Sequence, residues 1–311
     1  MLGLARKLRQ AGVVGINARN RRYIMHHNPR SLYNLVDDKV QTKRLAMQAG
    51  IAVPKLYGLI NTVHDARYFE KHIEGKNDFV IKPAHGSGGN GVLVVSRRRH
   101  NLFYKPDGLA ITAEDVQHHI INILGGLYSL GGLQDQAIIE YRVHFDPIFS
   151  TLSYNGVPDI RILVYRGVPV MAMLRLPTRQ SGGRANLHQG AIGVGINLKT
   201  GQTTLGVHQN RRVTEHPDFE TGLSGWSIPG WQDLLLISAR CYELAPLGYL
   251  GVDMVLDAQL GPLVLELNAR PGLNIQIANG IGLRDRLLAV DSNITMDINA
   301  VQRVELSQTL C

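Results

Sequence analysis

The chain has 311 residues, 44% hydrophobic and 19% charged, a mixture that can build a core and excludes disorder over the whole length. Lysine plus arginine number 33 against 25 acidic residues, a formal charge of +8, which favours anionic partners and leaves nucleic acid, anionic membranes, nucleotide phosphates and acidic substrates open. The two cysteines, Cys241 and Cys311, 70 positions apart, supply no CxxC pattern and no disulfide framework, and a reducing compartment is the natural reading.

The start, through Gly15, has basic residues but no apolar stretch of signal-peptide length. The longest uncharged run, Ile120 to Gln134, is Gly-rich and shorter than the ~18 apolar residues of a spanning helix. A soluble, cytoplasmic protein with no transmembrane segment is expected. Residues 1–36 are basic and polar, with Arg6, Lys7, Arg9, Arg19, Arg21, Arg22 and Arg30, and read as an arm or small cap. From Asp37 the pattern becomes regular. Asp37 or Asp38 caps a helix over Lys39–Gln48 that Gly50 and Pro54 stop, and a second helix is expected near Asp65–His72. The apolar strand Phe79-Val80-Ile81-Lys82 runs into Gly86-Ser87-Gly88-Gly89-Asn90-Gly91 and returns as Val92 to Val95, a hairpin with a glycine-rich tip.

Thr112 opens a helix to about Leu124, and strands are expected at 137–142, 160–165 and 168–176. Residues 178–190 read as a mobile polar loop, 231–244 as a long helix, and 249–257 and 262–268 as a last pair of strands. Mixed hairpins and helices without regular βαβ winding predict an α+β architecture. The segmentation is a 1–36 arm, a first lobe over 37–135, a second over 136–290 and a tail over 291–311.

The glycine loop fits G-x-G-x-x-G by count, but a strand follows it instead of a helix, which argues against a dinucleotide fingerprint. Gly91 is followed by valine, so there is no P-loop, and H-R-D and D-F-G are missing. What remains is Lys82 on the incoming strand and glycines that let backbone N–H groups approach phosphate oxygens. An ordinary hairpin with a surface lysine fits this segment equally well.

The strongest signal is Gly251-Val252-Asp253 with Glu266-Leu267-Asn268-Ala269-Arg270-Pro271-Gly272. A hairpin through 258–261 sets Asp253 opposite Glu266, and Asn268 shares their face. Two facing carboxylates and a carboxamide suit Mg²⁺, with Met254, Leu256, Leu265 and Leu267 covering the opposite face in a core. Asp159 and Arg161 also share a face. A three-residue turn near Gly167 would set Arg175 opposite Asp159, and a two-residue turn would send it to the other face. The doublets His26-His27 and His118-His119 read as surface or packing residues.

In order, Asp38-Lys39, Val80-Ile81-Lys82-Pro83 with its glycine loop, Ile139-Glu140-Tyr141, Asp159-Ile160-Arg161, Arg184 to Gly190, Gly251-Val252-Asp253 and Glu266 to Gly272 resemble an ATP-grasp ligase. The RimK-type α-L-glutamate ligases and their relatives are the closest likeness, over about Asp37 to Gly282. The resemblance implies nucleotide between two α+β lobes. Lys39, Lys82 and the loop residues Gly86, Ser87, Gly88, Gly89 and Gly91 would hold phosphates, Glu140 and Tyr141 the adenine, Asp159 a further nucleotide contact, and Arg184 with Asn186 the phosphates again. Asp253, Glu266 and Asn268 would bind two Mg²⁺ ions, with Mn²⁺ as a substitute, and Arg161, Arg175 and Arg270 would face the reacting carboxylate.

The implied activity is an ADP-forming carbon–nitrogen ligase that joins an amino-acid amine such as glutamate to a small-molecule or peptide carboxylate through an acylphosphate. RimK-type ligases carry a full α/β domain ahead of the Asp-Lys motif where this sequence has 36 residues, so an oligomer or a partner protein is an expected way to complete the acceptor site. The competing readings are an ATP-dependent phosphotransferase and a basic nucleic-acid-binding protein. The second is disfavoured because no helix-turn-helix, zinc or RRM signature is present.

Overall fold

The computed structural model describes residues 2–86, 88–129, 132–295 and 298–310. Ser87 and Cys311 lie outside the described residues. The chain divides into two compact units, a smaller one of Asp38–Lys43 with Val53–His144 and a larger one of Met1–Asp37, Arg44–Ala52 and Phe145–Cys311.

The smaller unit carries strands β1 (Leu56–Ile60), β2 (Phe79–Pro83), β3 (Leu93–Val95), β4 (Arg97–Arg99), β5 (Leu102–Tyr104), β6 (Ala110–Ile111) and β7 (Ala137–Glu140). Four form an antiparallel sheet in the order β1-β7-β2-β3, and β4-β5-β6 form a second. The expected glycine-tipped hairpin is present, with Phe79 paired to Val95 and Ile81 to Leu93. The helix Ala113–Leu124 starts where the sequence puts it. Thr112 caps it and exchanges hydrogen bonds with Asp115 in a capping box. Its Val116, Ile120 and Ile123, spaced for one helical face, pack into a core with Phe79, Ile81 and Ile139. The second expected helix is instead a single α-helical turn, Val63–Ala66, and a 3₁₀ segment, Phe69–Ile73, whose Phe69 and Ile73 both enter that core.

The larger unit carries β8 (Asp159–Tyr165), β9 (Val168–Leu176), β10 (Ile192–Ile196), β11 (Thr203–His208), β12 (Arg211–Val213), β13 (Tyr249–Asp257) and β14 (Gly261–Asn268). They form one antiparallel sheet in the order β12-β11-β10-β9-β8-β13-β14. β10 escaped the sequence reading because its Gly193 and Gly195 interrupt a strand pattern. A Cβ on Gly195 would lie 2.7 Å from the Ala278 carbonyl oxygen, so glycine admits the helix Asn274–Asn279 against the strand. Residues 1–37 form part of this unit. Tyr23 and Ile24 enter its core beside Tyr165, Val168 and Tyr249, and Asn28 bridges the Tyr249 backbone to the Ala269 carbonyl. Among the described residues no helix is long and apolar enough to cross a membrane.

Candidate functional site

The sequence-predicted residues fall into two sets, one in each unit. In the smaller unit, Lys39 opens the helix Lys39–Gln48, Lys82 lies on β2, and Glu140 closes the central strand β7. Adjacent pairing of β2 with β7 brings Lys82 to 2.5 Å from Glu140. The sequence reading missed the third member. Lys43 lies 3.0 Å from the other Glu140 oxygen and also donates to the Pro54 carbonyl. Its signal was the four-residue spacing from Lys39, which puts both on one helix face. Glu140 is 3% exposed. Burial works against its charge, yet Lys82 and Lys43 outweigh that and hold its carboxyl below the usual range. Burial lowers the Lys43 pKa, with Glu140 opposing. Glu140 is therefore the buried counter-ion of two lysines, while Tyr141 donates its backbone N–H to the Lys55 carbonyl and packs its ring on His144.

The glycine loop is held from three sides. Lys39 donates to the Gly86 carbonyl oxygen, with the Ala84 carbonyl at 3.5 Å. At the entrance, Asp135 accepts from the His85 backbone N–H, the His85 ring and Ser129. At the exit, the His119 ring nitrogen Nε2 lies 2.9 Å from the Gly91 carbonyl, so it donates, which corrects the packing role read for His119. Gly91 has φ +74°, and a Cβ there would sit 2.5 Å from the Tyr128 ring. Gly88 and Gly89 also take positive φ, a backbone conformation that glycine adopts without steric cost. Asp135 was legible in one respect, since it is the lone acid ending the uncharged run 120–134.

In the larger unit, β9, β8, β13 and β14 are consecutive neighbours, and their side chains meet on one face. The connection between β8 and β9 resolves the open register. It is a two-residue turn of Arg166 and Gly167, both at positive φ, but pairing shifts from Val164↔Pro169 to Leu163↔Met171, so Val170 is an extra residue. That bulge, beside a proline with no N–H to give the ladder, returns Arg175 to a position opposite Asp159. A bulge at Leu265 does the same on β14. Asp253 faces Glu266 as expected, while Leu265 itself is only half-buried, unlike Met254, Leu256 and Leu267.

Arg175 grips Asp159 through Nε and Nη2 and reaches Asp253 at 2.8 Å. Arg161 grips Asp253 through Nε at 2.7 Å and Nη2 at 2.5 Å. Asn268 donates to Asp253 at 3.1 Å and to Glu266 at 3.4 Å. Burial opposes the Asp253 charge, but Arg161 and Arg175 overcome it and drive its pKa down. Burial raises Asp159 to about 7, opposed by Arg175 and reinforced by Asp253, so the two carboxylates sharing Arg175 titrate as a pair. Each guanidinium keeps its Nη1 without a partner among the described residues.

These contacts bear on a metal. Both Asp253 oxygens are committed to guanidinium groups, so in this arrangement Asp253 anchors Arg161 and Arg175 instead of offering a ligand. Glu266 and Asn268 remain half-buried oxygen donors. The Asn268 amide nitrogen donates to both acids, so the Asn268 oxygen joins Glu266 as a hard ligand pair of the kind Mg²⁺ takes once the amide is turned over.

Three predicted residues of the larger unit do not join the cluster. Arg270 is exposed, with its guanidinium 4.9 Å from the Tyr33 ring centroid, and Arg184 is exposed on the loop 178–190. Asn186 caps the turn Leu187–Gln189. The loop has a built base: Thr178 donates to the Gly190 carbonyl, and Ser181 and Thr178 exchange hydrogen bonds in burial. Arg19 and Asn28, from the segment read as an arm, hold the Pro271 and Ala269 carbonyls just past Asn268.

A family model described as sugar-transfer associated ATP-grasp matches residues 18–292. Two curated relatives, each a probable alpha-L-glutamate ligase, come from Maridesulfovibrio salexigens and Syntrophotalea carbinolica. Both are 23% identical, over 76% and 81% of this chain. They are longer proteins, and the chain covers 56% and 62% of their lengths. Among solved structures, a RimK domain protein ATP-grasp from Sphaerobacter thermophilus aligns with a TM-score of 0.47 at 14% identity, over 84% of this chain and 69% of that one. The resemblance read in the ordered motifs and the match over residues 18–292 agree: this chain belongs to the sugar-transfer associated ATP-grasp family.

Proposed function

We propose that the protein is an ATP-dependent carboxylate–amine ligase. It forms an amide or peptide bond through an acylphosphate, releases ADP and phosphate, and takes an amino acid such as glutamate as the amine. The observation that carries this reading is the convergence of Arg161, Arg175, Asp253 and Glu266 from four adjacent strands in a chain of this family. The glutamate-ligase names of the two curated relatives support the choice of amine.

A carboxylate and an amine do not condense in neutral water. Transfer of the ATP γ-phosphoryl group to a carboxylate oxygen makes the carbonyl electrophilic, and the amine then displaces phosphate. The obstacle is charge, since an anion at ~4 Å from one phosphate charge costs about 4 kcal/mol at an effective dielectric of 20. Cations placed in advance offset it without reorganisation. Arg161 and Arg175 are such cations. Asp159 and Asp253 fix their planes and leave Nη1 of each to bind the carboxylate. Lys82 and Lys39 serve the phosphates, Lys82 set by Glu140 and Lys39 set against the Gly86 carbonyl. Glu266 and Asn268 would hold Mg²⁺, which neutralises phosphoryl charge when bound.

The test is ADP and phosphate release from Mg-ATP with a pool of carboxylates, sugar carboxylates included, and hydroxylamine as a general amine, followed by mass spectrometry. Carboxylate-dependent ADP with a new hydroxamate is expected. A stable phosphorylated product without hydroxamate would replace the ligase by a phosphotransferase.

A further inference from the structure

The entrance of the glycine loop holds a carboxylate–imidazole pair that the ligase reading does not use. Asp135 is buried, its side chain fully so, and both oxygens accept the His85 backbone N–H at 3.1 Å. The His85 ring approaches the same carboxylate, Nδ1 to Oδ1 at 2.7 Å, and Ser129 donates to the other oxygen at 2.6 Å. The Gln136 N–H adds a further bond at 2.7 Å. Backbone and ring of one residue are thus fixed by one buried acid, while the ring itself stays 44% exposed. Asp135 is the anchor of this arrangement, and His85 presents its far edge outward.

The tautomer follows from the partner. Burial works against the Asp135 charge, but its hydrogen bonds from Ser129, His85 and Gln136 outweigh that and keep it ionised at neutral pH. An ionised carboxylate only accepts, so Nδ1 must carry the proton. In neutral His85, Nε2 is then a bare lone pair, which repels a phosphate oxygen. Protonated His85 offers an Nε2–H and a positive charge, three residues beyond Lys82 and beside the carbonyls of Ala84 and Gly86 that Lys39 faces. The charged group against the ring is Asp135, and Lys39 reaches the carbonyls of the residues on either side of His85.

We propose that His85 is a phosphate-binding residue of the glycine loop, held by Asp135 so that only its protonated form makes the contact and nucleoside triphosphate binding draws in a proton. The proposal rests on the ATP reading above. It adds a pH-dependent cation to the two lysines, and histidine is the side chain whose charge changes in the physiological range.

The test is calorimetric binding of Mg²⁺ with the β,γ-imido analogue of ATP to the full chain. Runs at pH 6.5, 7.5 and 8.5 use paired buffers of different ionisation enthalpy, on wild type and His85→Gln. The exposed ring makes that replacement tolerable to the fold, and a circular dichroism melt checks it. Wild type should bind about three- to tenfold more weakly at pH 8.5 than at 6.5 and take up protons beyond those the analogue itself requires. His85→Gln should lose the extra uptake and flatten the profile. Equal proton uptake and an equal pH slope in both proteins, with the analogue still bound, would overturn the role of His85 alone. No binding by wild type at any pH would overturn it together with the ATP reading.

Discussion

Glu140→Gln is the most informative single change, because it keeps shape and removes one buried charge. Glu140 is 3% exposed between Lys82 at 2.5 Å and Lys43 at 3.0 Å, so the variant leaves two cations in the smaller unit without their counter-ion. Removing one partner of a buried ion pair costs about 3–5 kcal/mol, far more than the pair contributes as a whole. Lys43 can relieve part of this by losing its proton. Burial already lowers its pKa against the pull of Glu140, and without Glu140 it falls further. The folded variant then binds fewer protons than the unfolded chain, whose lysines hold theirs to about pH 10.4, so its stability must rise with pH.

Hydrogen exchange read on peptides spanning β2 and β7 measures the smaller unit directly. After correction for intrinsic rates, protection there should drop by about 10²–10⁴-fold at pH 6.5, since each 1.36 kcal/mol is tenfold. The loss should shrink at pH 8.5. A drop under about fivefold, or one that does not shrink with pH, would refute the two-lysine counter-ion account.

Four further outcomes are expected. Glu266→Ala should abolish turnover with an unchanged melting temperature, and near-normal activity would remove Glu266 from the site. Arg175→Lys keeps the charge but loses the fork that joins Asp159 to Asp253. It should cost about 1.5–3 kcal/mol in urea unfolding followed by the fluorescence of Trp226 and Trp231, both in the larger unit. Gly91→Ala puts a methyl 2.5 Å from the Tyr128 ring at φ +74°, so nucleotide affinity should fall, with a penalty of about 1–3 kcal/mol confined to the loop. Burial pushes the Cys241 thiol up to about 12, so in a Cys311→Ser chain an aromatic disulfide reagent at pH 8 should find no reactive thiol until denaturant is added.

Much of this was present in the order of residues. Local chemistry determined the Lys39–Gln48 helix, the Thr112 cap, the glycine-tipped hairpin and the Asp253–Glu266 pairing, because each depends on neighbours a few positions apart or on a short turn. The ordered motifs likewise led to the ATP-grasp family. What distance along the chain concealed was decided by tertiary structure. Lys43 and Lys82 meet Glu140 across a helix and two strands, Asp135 reaches back 50 positions to His85, and Asn28 holds a backbone 241 positions away. The register of Arg175 depended on whether a bulge at Val170 offsets a two-residue turn. Asp253 shows the difference most plainly. Hairpin periodicity placed it on a face with Glu266, but the order of strands in the sheet put two guanidinium groups on that face as well. A buried carboxylate is held by the nearest positive charges, and which charges those are is a property of the fold.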